Sequence, residues 1–148
     1  MIRMARLTDY GIVVLQYFAS HPDKSMWNAR DLSLHTKLPL PTVSKILKLL
    51  TRKGFLTSFR GVNGGYGLSR KPEEISVAQI IAALEGPIAV TDCNISVGSC
   101  NQEPDCPVQP HWKIINQAIQ TALEGVHLAR MAQPTSGSVT PIPVWTGK

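Results

Sequence analysis

A chain of 148 residues, 43% of them apolar, is long enough for one packed core with an appended element. No apolar run approaches the ~18 residues of a membrane span, and the first seven residues lack the apolar stretch of a secretory signal; the expectation is a soluble, cytoplasmic protein with no membrane partner. The net charge of +5 hides an asymmetry, since residues 1–70 carry a net of +8 and residues 71–148 a net of −3. A basic half joined to a mildly acidic half points to one face that meets a polyanion; a solvated basic surface without a partner is the alternative.

The first predicted helix opens at Leu7-Thr8-Asp9, with Thr8 or Asp9 as its cap and Tyr10, Val13, Val14, Tyr17 and Phe18 at helical spacing. His21-Pro22-Asp23 ends it. Asn28 caps a second helix from Ala29 to His35, with Leu32 facing inward, and Lys37-Leu38-Pro39-Leu40 turns the chain. Pro41 suits the first position of a third helix, which runs through Val43, Ile46, Leu47, Leu49 and Leu50 to a C-terminal Gly54. Two short helices joined by a tight turn, the second of them basic, make a helix-turn-helix.

After Gly54 the pattern changes to two short strands, Phe55 to Arg60 and Tyr66 to Ser69, joined by Gly61-Val62-Asn63-Gly64-Gly65. Asn63-Gly64 favours the positive φ of a tight hairpin turn. A hairpin directly after a recognition helix is a wing. Ser76-Val77-Ala78-Gln79 is a capping-box pattern opening a fourth helix that Gly86-Pro87 closes. Residues 92–110 form a loop. A fifth helix begins near His111-Trp112, and Trp112, Ile115, Ile119, Leu123, Val126 and Arg130 lie on one stripe of it. Such a stripe suits a dimer seam; folding back on the chain's own core is the alternative. The fold class expected is therefore mainly α: a winged helix-turn-helix with a two-stranded wing, a cysteine-bearing loop and a long dimerisation helix. The divisions are 1–86 for the winged-helix domain, 87–110 for the loop, 111–132 for the dimerisation helix and 133–148 for a disordered tail.

The third helix supplies a candidate DNA-contacting face. Thr42, Ser44 and Lys45 lie near its N-terminus, the end that reaches base edges in the major groove, just after Pro41. Lys48, with Arg52 and Lys53, is placed for phosphates. Arg60 at the base of the wing suits a narrow minor groove, with Asn63 at the wing's tip. A solvated helix face, and a structural salt bridge for Arg60, are the alternatives.

Cys93, Cys100 and Cys106 are the only cysteines, separated by six and five residues. An odd number in a reducing compartment argues against a disulfide framework. Structural zinc sites use cysteine pairs two to four residues apart, which are missing here. Wider spacing suits a larger inorganic core in which each thiolate reaches a different iron. Zinc and unliganded thiols stay open on spacing alone. A fourth ligand would come from His111, Asp92, Glu85 or Asp9. The remaining histidines, His21, His35 and His127, read as surface or capping residues. No nucleophile elbow, phosphate-cradling loop or carboxylate pair is present, and a Cys106–His111 couple lacks an orienting partner, so an enzyme is not expected.

Residues 3–131 resemble the dimeric winged-helix repressors that bind iron–sulfur clusters, the family of IscR and NsrR. The resemblance rests on Leu7-Thr8-Asp9-Tyr10-Gly11, Val43-Ser44-Lys45-Ile46-Leu47, Arg60-Gly61-Val62-Asn63-Gly64-Gly65-Tyr66, Ile75 to Ile81, the three cysteines and Trp112. Within the family, Pro39 to Lys45 and Leu84-Glu85-Gly86-Pro87-Ile88 look most like regulators of the SUF cluster-assembly operon. The resemblance implies that Cys93, Cys100 and Cys106 ligate a cluster, 2Fe–2S or 4Fe–4S. It further implies a homodimer formed through the fifth helix, a near-palindromic double-stranded DNA operator and repression of cluster-assembly genes. Gln109 stands where IscR-like members carry a ligating histidine, and His111 is shifted by two residues. Asp9 matches the position from which NsrR-like members supply a carboxylate from the other subunit. A cluster-free repressor responding to thiol oxidation or nitric oxide is the alternative function, and a winged helix that binds protein is a third.

Overall fold

The computed structural model describes residues 3–134. Six helices and one hairpin follow in order: α1 (Arg6–Ser20), α2 (Ala29–Thr36), α3 (Leu40–Arg52), β1 (Leu56–Phe59), β2 (Gly65–Leu68), α4 (Val77–Glu85), α5 (Gln109–Glu124) and α6 (Leu128–Ala132). This is a mainly helical winged helix-turn-helix. Among the described residues no helix is long and apolar enough to cross a membrane.

The start of α1 differs from the sequence expectation. Ala5 is its N-cap, no side chain caps it, and the Thr8 and Asp9 amides donate to Ala5 O at 3.0 and 3.1 Å. Thr8 is only 1% exposed; burial against the core overrides its capping preference. Asp9 stays exposed in the first turn, where a carboxylate complements the helix dipole. At α2 the expected cap is present, with Asn28 accepting from the Asp31 amide at 2.8 Å. The turn into α3 passes through Lys37 in the left-handed region (φ 58°). Pro39 takes the N-cap of α3, so Pro41 is the second helical residue rather than the first. Gly54 (φ 79°) then closes that helix.

β1 and β2 pair antiparallel from Leu56↔Leu68 to Phe59↔Gly65. The hairpin turn is not the Asn63-Gly64 type. Its positive φ lies at Gly61 (120°), and the Gly64 amide donates to Gly61 O at 3.0 Å. The glycine-rich second strand answers a different need. Trp27 and Tyr66 exchange two backbone hydrogen bonds of 2.9 Å, and a Cβ on Gly65 would lie 2.8 Å from Trp27 O. The segment before α2 thus forms an isolated antiparallel bridge to β2, and only glycine at 65 lets it approach.

The capping box of α4 is realised, Ser76 and Gln79 each accepting from the other's amide at 3.2 Å. Apolar side chains from α1, α2, α3 and α4 meet in one core, where Val14, Leu15, Leu32, Leu47 and Ile80 have no exposed surface.

The single long helix expected over 111–132 is two helices. α5 ends at Glu124, and α6 returns to pack on α1, with Leu128 fully buried. The connection is held by the Val77 amide donating to Val126 O and the Leu128 amide donating to Ile75 O, both at 2.8 Å. Gly125 interrupts the helix, and the backbone groups just before α4 find their partners in the returning chain. Val126 and Arg130 therefore do not extend the α5 stripe. Of the tail expected from residue 133, residues 135–148 lie outside the described residues.

Candidate nucleic-acid interface and cysteine loop

α3 buries Val43, Ile46, Leu47 and Leu50, which leaves the opposite face outward. Pro41, Lys45, Lys48, Arg52 and Lys53 are exposed there, and Thr42 and Ser44 are partly so. Arg60 and Asn63 are exposed on the wing, beside a fully exposed Val62. Among the described residues the one ion pair joins Lys24 to Asp31 at 3.4 Å. The cations of α3 and the wing thus have no carboxylate partner within the described chain. This leaves α3 and the wing with unneutralised positive charge, suited to phosphate.

Between α1 and α2 lies an aromatic group that sequence reasoning missed. Tyr17 stacks on His21 and on His35, at 4.1 and 5.4 Å between ring centres, with Trp27 edge-on. Lys24 Nζ sits 3.9 Å from the Trp27 ring centre. His21 and His35 are exposed as expected, yet they are also stacking partners. Burial first, and then the nearby Asp31 carboxylate, raise the Tyr17 phenol above its ordinary value of 10.0. The spacing of Tyr17 and His21, one helical turn apart, was the available signal.

All three cysteines lie in the irregular segment between α4 and α5. Cys93 sits in a short 3-10 turn (Asp92–Asn94), and Cys106 directly follows another (Glu103–Asp105). All three thiols are free and half-buried. Thr91 Oγ1 is 3.2 Å from Cys93 Sγ. Glu103 accepts from the Gly98 amide at 2.7 Å and from Gln109 Nε2 at 3.1 Å, which ties the loop to the first turn of α5. Gln109, at the position of the missing histidine, therefore braces the loop.

Among the described residues no three His, Cys, Asp or Glu side chains are close enough together to hold a metal ion. The structure thus places Cys93, Cys100 and Cys106 on one loop without gathering them into one coordination shell. Asp9, exposed on α1, and His111, exposed at the start of α5, belong to no such group of three either. The donor set still fits a thiophilic inorganic group: three partly accessible thiols on a segment whose conformation is mostly turns. The loop must close for them to bind together.

Comparison with known proteins agrees with this architecture. The chain is similar to CymR (YrzC), the global cysteine regulator of B. subtilis, with a TM-score of 0.72 and 22% identity over 89% of this chain and 97% of that one. Against IscR of T. potens the TM-score is 0.69, with 23% identity over 92% of this chain and 94% of the other. Among curated proteins, the HTH-type transcriptional regulator IscR of Aliivibrio salmonicida (strain LFI1238) is 26% identical over 122 residues, 82% of this chain and 72% of that protein. The structural likenesses establish the shared fold. The Rrf2 family, described as an iron-dependent transcriptional regulator, matches residues 4–134. With its winged helix and its unneutralised basic face, the chain belongs to the Rrf2 family of DNA-binding transcriptional regulators, and is not an enzyme.

Proposed function

We propose that this chain is an iron–sulfur-cluster-dependent repressor of iron–sulfur cluster assembly genes, acting as a homodimer on a near-palindromic operator. The observation that carries the reading is the set of three half-buried cysteines, the only ones in the chain, on one loop braced to α5.

In this reading Thr42, Ser44 and Lys45 meet base edges at the start of α3, behind Pro41, and Lys48 meets phosphate. Arg60 and Asn63 enter the minor groove from the wing. α5 forms the dimer seam, supported by Ile114 and Ile115, which are 68% and 43% exposed in the single chain. Cys93, Cys100 and Cys106 hold the cluster, with Asp9 or His111 as the fourth ligand. When bound, the cluster supplies an iron- and redox-sensitive tie across the loop. The chain's own part is to hold one loop conformation while the thiolates are engaged and to release it otherwise. A coupling of ~1–3 kcal/mol between loop and DNA face changes operator affinity roughly five- to 150-fold.

The test is anaerobic purification with a visible spectrum and iron and acid-labile sulfide assays on the same sample. A brown protein with near-equal iron and sulfide, whose colour is lost in Cys93→Ala, Cys100→Ala and Cys106→Ala, is the expected result. A colourless, iron-free protein after reconstitution overturns it. The same proposal expects duplex DNA binding to weaken with salt at a log–log slope near about −7, for a dimer neutralising about eight phosphates. A slope near zero would sink the DNA assignment. A second reading, a cluster-free repressor switched by thiol oxidation, is favoured by the ungathered thiols. Iron content separates the two.

A further inference from the structure

Of the sixteen residues of α5, only Asn116 is buried, at 8% exposure. A buried amide is costly unless its donors and acceptors are used. Here they are: Asn116 Oδ1 accepts from the Val90 amide and Nδ2 donates to Ile88 O, each at 3.0 Å. Residues 87–91 belong to no helix or strand. Asn116 therefore gives this irregular segment the pairing that a neighbouring strand would otherwise provide.

One turn earlier on the same helix face, Trp112 O accepts from Asn94 Nδ2 at 3.5 Å. Asn94 Nδ2 also donates to Thr91 Oγ1 at 2.8 Å, and that hydroxyl lies 3.2 Å from Cys93 Sγ. Chain connectivity from Val90 to Thr91 joins these contacts into one path from α5 to the thiol. An apolar residue at 116 would bury as much surface but would leave Val90 N–H and Ile88 C=O unpaired.

We infer that Asn116 is the positioning residue that fixes the segment leading into Cys93 onto α5, so that the cysteine loop and α5 move as one unit. Its regulatory meaning rests on the proposed function, but its structural content is tested on the metal-free, reduced full chain. A colourless protein would therefore sink that function and leave the role of Asn116 standing.

The experiment combines residue-resolved amide hydrogen exchange with the rate of iodoacetamide labelling at each cysteine. Asn116→Ala should speed exchange at the Val90 amide about tenfold, as expected for loss of a buried hydrogen bond. It should also raise labelling of Cys93 relative to Cys106, with the Leu15 amide in α1 unchanged. Asn116→Asp keeps an acceptor for Val90 N–H and loses the donor to Ile88 O. It should preserve protection at Val90 while the Cys93-to-Cys106 labelling ratio still rises. An unchanged ratio in both variants overturns the inference. So does an equal acceleration at Leu15 and all three thiols, which would mean general loosening. Where Asn116→Ala does not fold, the ratio in Asn116→Asp decides alone.

Discussion

The body of the molecule and the segment it carries between α4 and α6 are held together by different balances of the same forces. From α1 to α4, side chains with no exposed surface interlock in a dry core; from residue 86 to residue 127 the one buried residue is an asparagine. The first region draws on apolar burial, at about 25 cal/mol per Å². The second buries Ile88, Leu123 and Val126 only in part against that core and adds hydrogen bonds to backbone, each worth about 1 kcal/mol net. A region of the first kind keeps its shape whatever binds it. A region of the second kind has alternatives within a few kcal/mol, as the proposed function requires of the cysteine loop.

The sharpest way to break this comparison is to remove the same kind of atoms from both regions. Ile46→Ala, in the α3 core at 1% exposure, should cost about 2–5 kcal/mol in urea unfolding. Val97→Ala, in the cysteine loop at 95% exposure, should change stability by no more than about 0.5 kcal/mol. Comparable losses at the two sites would show that the loop belongs to the cooperative core after all.

Gly65→Ala should cost about 1–3 kcal/mol, because its Cβ meets Trp27 O at 2.8 Å and forces the wing off residues 25–27. Proton exchange at the Tyr66 amide checks it; unchanged protection would mean the close approach is dispensable. Ser76→Ala removes one half of the α4 capping box and should cost about 1 kcal/mol in the same unfolding assay. A neutral result would leave the cap without energetic weight.

The smallest effect concerns Tyr17. Its folded pKa is raised, so the folded chain holds that proton more tightly than the unfolded chain does. That contribution is whole below pH 10.0 and is lost as pH rises through the raised folded value. Tyr17→Phe should flatten the alkaline fall in unfolding midpoint. An identical fall in both proteins would assign it elsewhere.

Much of the body was legible because its boundaries are marked by residues with local mechanisms. Asn28, Gly54 and the Ser76–Gln79 box act through their own backbone, so their roles do not depend on the rest of the fold. Thr8 misled because burial outweighed its capping preference, and Asn63-Gly64 misled because the turn takes its positive φ at Gly61 instead. Apolar spacing carried the fifth helix through Gly125, although glycine is itself a stop signal. The spacing of the cysteines was readable, but whether they gather is a tertiary property that spacing does not contain. Asn116 was invisible for a simpler reason: hydropathy assigns an asparagine on a helix to solvent.

The return of α6 to α1 makes the cysteine loop and α5 an insertion, a handle attached to the body at both ends. Its near end leaves the body at Gly86, and its far end is clamped through Ile75 O and Val77 N. Stopping the chain at residue 86 would therefore not liberate a DNA-binding module. It would unroof the socket that Leu128 fills and strip the partners from the backbone preceding α4. The winged helix and the cysteine loop are interleaved along the chain, so any displacement of the handle pulls on the body from two places.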